Sequence, residues 1–494
     1  MDSIPHYIHG QPIRNHQGTL PIYNPALGQI IREVEVADKA IIEQAVQSAR
    51  SAYVSWSKQT PLNRARILFK FKIIVEQRKF KIASIITEEH GKTTEDALGE
   101  VQRALEVIEF ACGIPHLLKG EYSAEVGRNI DSWSLYSPLG VVAGITPFNF
   151  PCMVPMWMIP IALATGNTFI LKPSEKDPSS SILIADYLKE AGLPDGVFNV
   201  VQGDRNAVEA LLMHPDIAAI SFVGSTPVAQ SIYEKGSQSG KRVQALGGAK
   251  NHLVVMPDAN INSVCRALIG SAYGSAGERC MAISVAVAVG DIADSLVEKL
   301  TPMIQELRVG PGHLPTSEMG PVISEQHLKH IHQHIEYGIQ EGAKLIVDGR
   351  NLAVPEYEKG FFIGGSLFDQ VQPHMQIYQA EIFGPVLCIV RVSSLENALQ
   401  LIKQHPFGNG SAIFTQNGHA AREFSHQVET GMVGVNVPIP VPMAYHCFGG
   451  WKRSLFGQSH MHGPEGVRFY TRMKTITERW EDTQEINLSM PILK

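Results

Sequence analysis

Residues 140–172 read GVVAGITPFNFPCMVPMWMIPIALATGNTFILK, and they decide the fold class. The stretch begins with a short run rich in Val and Ile, continues with an apolar segment from Met153, and ends with a second apolar run, TFILK. Pro155 and Pro160 interrupt the apolar segment, which favours a buried helix followed by a strand over a membrane span. A strand, a helical crossover and a second strand form the repeating unit of a doubly wound parallel sheet.

The same alternation of short apolar runs and helix-length segments extends in both directions from this unit. Residues 38–103 have the apolar spacing of helices, in AIIEQAVQSARSAYVSW and again in ARILFKFKIIVEQ. Further strands are predicted at VFNVVQG (197–203), AAISFVG (218–224), NHLVVMPD (251–258), SVAVAVG (284–290), FFIGGSLF (361–368), PVLCIVRV (385–392) and GSAIFT (410–415). We predict an α/β fold with two α/β domains in tandem and a boundary near residue 250.

Two segments alternate between apolar and polar residues instead. Residues 131–136, DSWSLY, and 467–477, VRFYTRMKTIT, have the pattern of half-exposed antiparallel strands. Edge strands of this length need to be covered. We therefore expect a homo-oligomer that pairs or buries them.

Composition limits the class of protein. The chain has 494 residues, of which 44% are hydrophobic and 18% charged, as is typical of a globular protein of two or three domains. The net charge of -6 and the lack of a basic run give no support for a nucleic-acid or anionic-membrane partner. The first residues, MDSIPHYIHGQPI, lack the regions of a signal peptide, so we expect a cytoplasmic protein. The six cysteines include no CxxC pair, which indicates free thiols in a reducing compartment.

One cysteine has a neighbour that suits catalysis. Cys280 stands in SAGERCMA, after Gly277 and directly beside Arg279. A cationic neighbour lowers the pKa of a thiol and raises the thiolate fraction that nucleophilic attack requires. The pattern is weak by itself, because most lone cysteines are small buried hydrophobic residues.

Polar residues that follow predicted strands are further candidates. In TPFNFP at 146–151, the amide of Asn149 could stabilise a developing oxyanion, although a loop Asn that bonds its own backbone is the simpler local explanation. In LKPSEKDP at 171–178, Lys172 and Glu175 would lie at the carboxyl end of a parallel strand, where open α/β sheets bind ligands. A carboxylate there could hold both ribose hydroxyls of NAD and would repel the 2′-phosphate of NADP. Taken alone, the two charges fit a solvated loop better.

Two turns complete the set. ISFVGSTPVAQSIY at 220–233 runs from a strand into a helix, and Gly224 and Ser225 at the helix N-terminus make a site for a pyrophosphate. The sequence is not GxGxxG, however, and any strand-to-helix turn can have this form. In AEIFGPVL at 380–387, Glu381 precedes a stiff Phe-Gly-Pro turn from which a carboxylate could reach a ribose. The alternative is an ordinary turn before the next strand.

In this order and at these separations, the motifs together resemble the aldehyde dehydrogenase superfamily over almost the whole chain. The resemblance implies a Rossmann-like NAD-binding domain (1–121 and 141–249), a catalytic domain (250–440) and a small β oligomerisation element (122–140 and 465–494). It also implies a homotetramer built as a dimer of dimers, although the sequence does not decide between a dimer and a tetramer. Cys280 would be the nucleophile, and Asn149 with the backbone N–H of Cys280 would form the oxyanion hole.

The resemblance also implies how NAD is held. The adenosine ribose would contact Lys172 and Glu175, and the pyrophosphate would contact Gly224 and Ser225. The nicotinamide ribose would be held by Glu381, with Phe383 packed near the ring. Thr146 and Phe148 complete the cofactor-binding residues. No metal is expected, because His446, His460 and His462 lack Cys or His partners at zinc-site spacing, and we expect these histidines at the surface or in oligomer contacts.

One position departs from the hydrolytic members of the superfamily. Those members read E-L-G-G-K about thirty residues before the cysteine, and that Glu is their general base. Here the stretch is VQALGGAKNH at 243–252, and alignment on the glycines and Lys250 puts Leu246 at the Glu position. A leucine cannot take a proton from water, so we predict slow hydrolysis of a thioester at Cys280. A thiol such as coenzyme A has a pKa closer to neutrality and needs less help to attack.

This departure and several longer motifs resemble the methylmalonate-semialdehyde dehydrogenase branch, whose members acylate coenzyme A and decarboxylate their substrate. The motifs include GAKNHLVVMPDAN at 248–260, SAGERCMA at 275–282 and GVNVPIPVPMAYHCFGGWKRSLFG at 434–457. At the position of Leu246 some members would have Asn, which is also no base. The branch also acts on malonate semialdehyde, in valine, β-alanine or inositol breakdown. The sequence leaves the substrate and the pathway open, since one methyl is worth only about 1–3 kcal/mol of discrimination.

Substrates of this branch carry a carboxylate beside the aldehyde, so the resemblance implies fixed cations in the pocket. Arg279 adjoins the nucleophile, and Arg103 in EVQRALEV matches the other substrate arginine of the branch. A guanidinium suits a bidentate grip on a carboxylate. Without the resemblance, the local pattern predicts that Arg103 is a helix-surface residue paired with Glu100 or Glu106.

Two rival interpretations stay open at this point. A hydrolytic aldehyde dehydrogenase that uses Glu278 or Glu381 as base would form NADH at full rate without coenzyme A. A non-catalytic binding or structural protein of the same fold would have no activity to lose when Cys280 is alkylated.

Overall fold

The structure is a computed structural model, which describes residues 3–15, 17–127 and 129–480. Its α-helices are α1 (Lys39–Trp56), α2 (Pro61–Gln77), α3 (Lys79–His90), α4 (Thr94–Cys112), α5 (Met153–Ala164), α6 (Ser179–Glu190), α7 (Arg205–Met213), α8 (Thr226–Gln238), α9 (Ile261–Tyr273), α10 (Ile292–Gln305), α11 (Glu325–Gln340), α12 (Gln376–Gln379), α13 (Leu395–Gln404), α14 (Gly418–Gln427) and α15 (Gly463–Phe469). Its strands are β1 (Ser3–Ile4), β2 (His6–Ile8), β3 (Gln11–Ile13), β4 (Thr19–Asn24), β5 (Gln29–Glu35), β6 (Tyr122–Gly127), β7 (Ile130–Pro138), β8 (Val141–Ile145), β9 (Thr168–Lys172), β10 (Phe198–Val200), β11 (Ile217–Val223), β12 (Arg242–Leu246), β13 (Asn251–Val255), β14 (Ile283–Val289), β15 (Lys344–Val347), β16 (Ser366–Asp369), β17 (Val386–Val392), β18 (Phe407–Gly408), β19 (Gly410–Phe414), β20 (Met432–Val435), β21 (Trp451–Lys452), β22 (Leu455–Phe456) and β23 (Thr471–Arg479).

Residues 140–172 fold as β8, α5 and β9. Every residue of α5 is buried, and β8 pairs with β9 in parallel, with Val141 opposite Thr168. The predicted buried helix and the strand after it are therefore confirmed. Within the described ranges, no helix is long and apolar enough to cross a membrane.

The first large sheet has the strand order β22-β12-β11-β8-β9-β10-β2-β3. Its central strands, from β12 to β10, run parallel, and β22 and β2 join the edges in antiparallel pairs. Apolar side chains of α1, α7 and α8 cover one face, including Ile42 and Leu211. Helices α2 to α6 cover the other face, with Trp157 and Leu188 in that core. Cover on both faces confirms the predicted α/β fold.

The second large sheet has the order β15-β16-β17-β14-β13-β19-β20, and only β15 joins it in an antiparallel pair. Along the chain, β12 belongs to the first large sheet and the next strand, β13, belongs to the second. We therefore propose that the domain boundary lies within residues 247–250. One strand prediction was too long. Of residues 361–368 only Ser366 onward is a strand, because the glycines at 364 and 365 weaken pairing before it.

A third sheet stands apart from the two cores and has the order β23-β7-β6. Its long pair runs antiparallel, with Thr471 opposite Pro138 and Arg479 opposite Ile130. The prediction of a strand from Val467 was wrong at its start, because residues 463–469 form α15, whose first turn contains a proline that suits a helix start. We still predict that this sheet mediates oligomerisation. Residues 481–494 of the predicted element lie outside the described part of the chain.

The parallel strands bring their carboxyl ends to one edge of the first sheet. The loops that follow β8, β9, β11 and β12 therefore lie along this edge, where open α/β sheets bind ligands. The motifs at residues 146–149, 172–175 and 224–225 belong to three of these loops. Loops of the second unit around residues 280 and 381 meet the same edge, because they line one cavity with residues 148, 149, 224 and 225.

Candidate active site

A cavity of about 450 Å³ lies between the two units, and we call it the cofactor cavity. Seven of the predicted site residues line it, from both units: Phe148, Asn149, Gly224, Ser225, Cys280, Glu381 and Phe383. The structure thus brings together motifs that are up to 235 positions apart, from 148 to 383. Thr146, Lys172 and Glu175 do not line this cavity and lie beside it at the sheet edge.

At the sheet edge, Lys172 and Glu175 form an ion pair of 3.0 Å between Nζ and Oε2. Burial raises the pKa of Glu175, but the adjacent Lys172 ammonium and a backbone hydrogen bond outweigh burial and hold that pKa below its usual value. The carboxylate therefore stays ionised and half-exposed at the sheet edge. Thr146 donates its backbone N–H to the carbonyl of Lys172 at 3.1 Å, and its buried hydroxyl has no protein partner among the described residues.

The N-terminus of α8 opens into the cofactor cavity. Ser225 is the N-cap residue, but its hydroxyl makes no capping hydrogen bond. A Cβ at Gly224 would lie 2.5 Å from the ring of Phe222, so only glycine fits that position without displacement. A helix of 13 residues with an uncommitted N-cap hydroxyl has the donors and the dipole that a pyrophosphate requires.

Glu381 reaches into the cofactor cavity from the opposite side. Its Oε1 accepts a hydrogen bond from the backbone N–H of Ala249 at 2.9 Å. Burial raises the pKa of Glu381 to about 7. A Cβ on Gly248 would lie 2.1 Å from its Oε2, so the loop after β12 must have glycine there to make room for the carboxylate.

We expect Gly248→Ala to displace the Glu381 carboxylate and to weaken NAD binding about tenfold, the value of roughly one lost hydrogen bond. Titration of the protein with NAD, followed by intrinsic fluorescence, measures this. Gly418→Ala is the matched control, because a Cβ at Gly418 meets no atom within 4 Å. An unchanged NAD affinity in Gly248→Ala would contradict a cofactor role for Glu381.

Phe383 has a left-handed backbone, with φ of 59°. Such a conformation is uncommon for a bulky residue and is held here by its neighbours. The Nε2–H of His327 donates to the carbonyl of Phe383 at 2.7 Å, and the Phe383 ring packs edge-on against Phe148 with 5.9 Å between ring centroids. His327 was not among the predicted site residues. Its place on α11 offers no motif, and only the fold brings it to residue 383.

The loop before Cys280 is strained. Ser275 and Ala276, at φ 52°, and Gly277, at φ 73°, all have left-handed backbones in the 3₁₀ turn Gly274–Gly277. A Cβ at Gly277 would lie 2.2 Å from the carbonyl oxygen of Gly384, so the cysteine loop packs directly on the turn after Glu381. This contact places the thiol beside the carboxylate.

Two asparagines hold the backbone of the cysteine. The side-chain amides of Asn251 and Asn409 both donate to the carbonyl oxygen of Cys280, at 2.9 and 3.0 Å. Neither residue was predicted as a site residue. Asn251 lies in the quoted stretch at 243–252, one residue after Lys250, and this proximity to a motif was the one available signal.

Cys280 also lines a second cavity of about 310 Å³, which Glu381 does not line and which we call the substrate cavity. Its walls combine apolar side chains with both predicted substrate arginines: Arg103, Arg279, Phe150, Met153, Trp157 and Phe448. The thiol therefore lies where the two cavities meet. This is the position from which it can attack a substrate while a cofactor occupies the other side.

The Arg279 guanidinium lowers the pKa of the Cys280 thiol, as expected, but burial and Glu381 outweigh it. Burial and the nearby Glu381 raise the pKa of Cys280 to about 12, while the backbone amides of Cys280 and Met281 and the Arg279 guanidinium lower it less. The Arg279 guanidinium is already paired with Asp96, whose other oxygen accepts the backbone N–H of Ser275 at 3.1 Å. At neutral pH Cys280 is therefore a neutral thiol.

Arg103 fits both of its sequence interpretations. Its Nη1 lies 2.8 Å from Oε2 of Glu106, and 38% of the side chain is exposed. It also lines the substrate cavity with Arg279 and Cys280. Asp96, Glu100 and Arg103 follow one another at helical spacing on α4, so one face of this helix presents both acidic residues and the arginine to the cavity.

Of the two rival bases, Glu278 is poorly placed for hydrolysis, and Leu246 cannot act as a base. Leu246 is buried at the end of β12 in the apolar cluster on which Cys280 packs. Glu278 lines neither cavity. Its Oε1 accepts the backbone N–H of Ile323 at 3.1 Å, and its Oε2 lies 3.9 Å from Nε2 of the buried His90. Burial raises the pKa of Glu278 to about 8, so it is largely protonated at neutral pH.

The C-terminal histidines do not all lie at the surface. His462 is buried, and its ring packs on Trp157 and Phe448. Burial lowers the pKa of His462 to about 4, and its Nδ1–H donates to the carbonyl of His446 at 2.8 Å. Among residues 3–15, 17–127 and 129–480, no cluster of His, Cys, Asp or Glu could hold a metal ion.

Comparison with known proteins gives one family. Residues 13–476 match the aldehyde dehydrogenase family. The chain is 56% identical over 481 residues to malonate-semialdehyde dehydrogenase of Pseudomonas aeruginosa, and the aligned region covers 97% of each chain. It is 47% identical over 481 residues to malonate-semialdehyde dehydrogenase 2 of Geobacillus kaustophilus, covering 97% of this chain and 99% of the relative.

Solved structures agree with these relatives. The crystal structure of methylmalonate-semialdehyde dehydrogenase from Oceanimonas doudoroffii superposes with a TM-score of 0.97 at 54% identity, and covers 98% of this chain and 99% of its own. A protein of Sinorhizobium meliloti 1021 solved as a complex with NAD has a TM-score of 0.97 at 51% identity, with the same coverage. With this fold and this arrangement of Cys280, Asn149 and Glu381, the chain belongs to the aldehyde dehydrogenase family.

Proposed function

We propose that the protein oxidises and decarboxylates methylmalonate semialdehyde or malonate semialdehyde with NAD, and that coenzyme A removes the acyl group as propionyl- or acetyl-coenzyme A. The observation that carries the proposal is the position of Cys280 between two cavities, one with the cofactor motifs and the other with Arg103 and Arg279. The relatives named for the same two semialdehydes support it.

The residues of the cofactor cavity and the sheet edge fit NAD. The N-terminus of α8 suits the pyrophosphate, and the ionised Glu175 suits a ribose while disfavouring a 2′-phosphate. Glu381 and Phe383 lie beside Cys280, where the nicotinamide end is needed. When bound there, NAD would accept the hydride that the substrate loses. The Sinorhizobium meliloti relative solved with NAD supports the same cofactor.

In this proposal, the substrate lies in the second cavity with its carboxylate between Arg103 and Arg279. The sulfur of Cys280 attacks the aldehyde carbon as the thiol releases its proton to solvent water. The Asn149 amide and the backbone N–H of Cys280 donate to the oxyanion that forms. Loss of hydride leaves a thioester on Cys280. Its carbonyl accepts the electron pair released when the β-carboxylate leaves as carbon dioxide, and a proton from solvent completes the acyl group.

The last step decides between the proposal and its hydrolytic rival. Water needs a base to attack a thioester, and Leu246 and the protonated Glu278 do not supply one. Glu381 is the remaining candidate, but our proposal assigns it to the cofactor. Coenzyme A reaches the thiolate form far more readily than water becomes hydroxide, so the thioester waits for it.

We also propose a cytoplasmic homotetramer, a dimer of dimers, in which the sheet β23-β7-β6 makes subunit contacts. Side chains of β6 are largely exposed, and Tyr122 and Met473 present large apolar groups on this sheet. An exposed edge of this kind is typically covered in an assembly.

The experiment that tests the function is turnover of both semialdehydes with NAD and coenzyme A, with propanal as an aldehyde that lacks the carboxylate. We expect the acyl-coenzyme A and one carbon dioxide for each NADH, and far slower turnover of propanal. Release of free malonate or methylmalonate in place of the acyl-coenzyme A would contradict the proposal.

Arg103→Leu tests how the substrate is held. We expect kcat/KM for the semialdehydes to fall about 10- to 100-fold, because a charged hydrogen-bond pair is lost, while kcat/KM for propanal stays the same. Steady-state kinetics on both substrates measure this. The matched control is Arg266→Leu on an exposed position of α9, which should change neither value. A parallel loss with propanal would show that Arg103 does not read the carboxylate.

A further inference from the structure

A buried ion pair lies under the loop that carries Asn149. Nζ of Lys92 and Oε2 of Glu100 are 2.9 Å apart, and the two side chains are 1% and 0% exposed. Removing two charges from water is costly, and a buried pair is seldom worth more stability than apolar side chains of the same size. Its presence beside the active site therefore calls for another reason.

Both members of the pair bind backbone groups of residues 149–153. The Lys92 ammonium donates to the carbonyl of Asn149 at 2.6 Å and lies 4.3 Å from the ring centroid of Phe150. The second oxygen of Glu100 accepts the backbone N–H groups of Cys152 and Met153, at 2.7 and 3.0 Å. The pair thus fixes the loop at both ends, from Asn149 to the start of α5.

The side chain of Asn149 has no such support of its own. Within the described ranges, no protein group forms a hydrogen bond with its side-chain amide, although only 3% of the residue is exposed. The backbone of Asn149 therefore sets where the amide points. A misplacement of about 1 Å in an active site can cost a rate factor of about 10².

We propose that Lys92 and Glu100 are positioning residues that hold the Asn149 amide at the oxyanion of the reaction. This rests on the proposed function of Asn149 and Cys280. Glu100 has a second connection to the site, because it lines the substrate cavity one helical turn from Arg103 on α4. One helix face would then orient the oxyanion donor and present a substrate cation together.

A double-mutant cycle between Lys92→Met and Asn149→Ala tests the proposal. The readout is the rate of the first NADH formed with aldehyde and NAD in the absence of coenzyme A, together with NAD affinity. We expect Lys92→Met to slow this step about 30-fold with unchanged NAD affinity, as for a displaced catalytic group. In the Asn149→Ala background we expect less than about a twofold further loss, because no amide is left to misplace.

Controls separate positioning from general damage. Lys241→Met is matched, because Lys241 is also buried and donates to the backbone carbonyls of His214 and Ile217, away from both cavities. It should leave the rate unchanged. Lys92→Arg should restore part of the rate, since it keeps a donor for the carbonyl of Asn149. Should Lys92→Met fail to fold, Glu100→Gln is measured in the same cycle, because it keeps an acceptor for the backbone N–H groups.

The positioning role would be overturned if the rate loss in the double variant equalled the product of the two single losses. A fall in NAD affinity in Lys92→Met would overturn it as well. The measured step precedes removal of the acyl group, so it does not depend on whether coenzyme A or water is the acceptor. A failure of the proposed function would appear differently, as no NADH formed with either semialdehyde by the parent protein.

Discussion

Replacing Cys280 by alanine should lower NADH formation by at least about 10⁴-fold, as removal of a covalent nucleophile does in other enzymes. The physical reason is the position of the sulfur where the cofactor and substrate cavities meet. Without it, no tetrahedral adduct forms from which hydride can leave. NADH absorbance with either semialdehyde, in the presence of coenzyme A, measures the loss.

The control for this variant is Cys447→Ala. Among the described cysteines only Cys280 and Cys447 are not fully buried, and Cys447 lines neither cavity. Its replacement should leave activity intact.

Iodoacetamide should inactivate the parent protein, and more rapidly as pH rises, because burial holds the pKa of Cys280 near 12 and only the thiolate reacts. Retention of activity in Cys280→Ala would favour a different nucleophile and reject the proposed mechanism.

Asn149→Ala should lower the rate of the first NADH formed by about 10²–10³-fold, the usual loss when one oxyanion donor is removed. The Asn149 amide faces the cofactor cavity beside Cys280 without a protein partner among the described residues. Because the amide contributes only when the oxyanion forms, NAD affinity and alkylation of the thiol should stay the same. Rapid-mixing absorbance with excess enzyme gives the rate.

Asn149→Asp is the control for size. A carboxylate of the same shape cannot donate while ionised, so the loss should match or exceed that of alanine. A full rate in Asn149→Asp would show that the side chain at this position donates no hydrogen bond to the oxyanion.

The sequence predicted those parts of the fold that depend on local pattern. Residues 140–172 had the apolar spacing and the interruptions of a strand, a buried helix and a strand, and they fold in that way. Prediction was poorer where tertiary context decides. Residues 361–365 are apolar enough for a strand, but they do not pair with a neighbouring strand. Residues 467–469 end a helix in spite of their alternating pattern.

The site shows the same division. Motifs placed Asn149, Gly224, Glu381 and Cys280 on loops that the fold does bring to one cavity. The charge state of the thiol was not accessible from sequence, because it depends on burial and on the nearby carboxylate of Glu381, a residue of a distant segment. The sequence placed Arg103 on a helix near Glu100 and Glu106, but it did not show that Arg103 pairs with Glu106 and also lines a cavity with Cys280.

The residues that the sequence argument missed act through contacts between distant segments. Lys92 meets Asn149 across 57 positions, and Asn409 meets Cys280 across 129. Neither contact has a periodicity or a motif, since a lysine or an asparagine in a loop is most often a solvated residue. Only the packed structure shows that they hold the two groups that carry the chemistry.

The central claim is that the acyl enzyme waits for a thiol, and NADH formation with and without coenzyme A tests it most directly. The account predicts a burst of about one NADH per active site without coenzyme A, then a steady rate at least about 10²-fold slower than with it, since no base activates water. An equal steady rate without coenzyme A, with release of a free acid, would contradict the account.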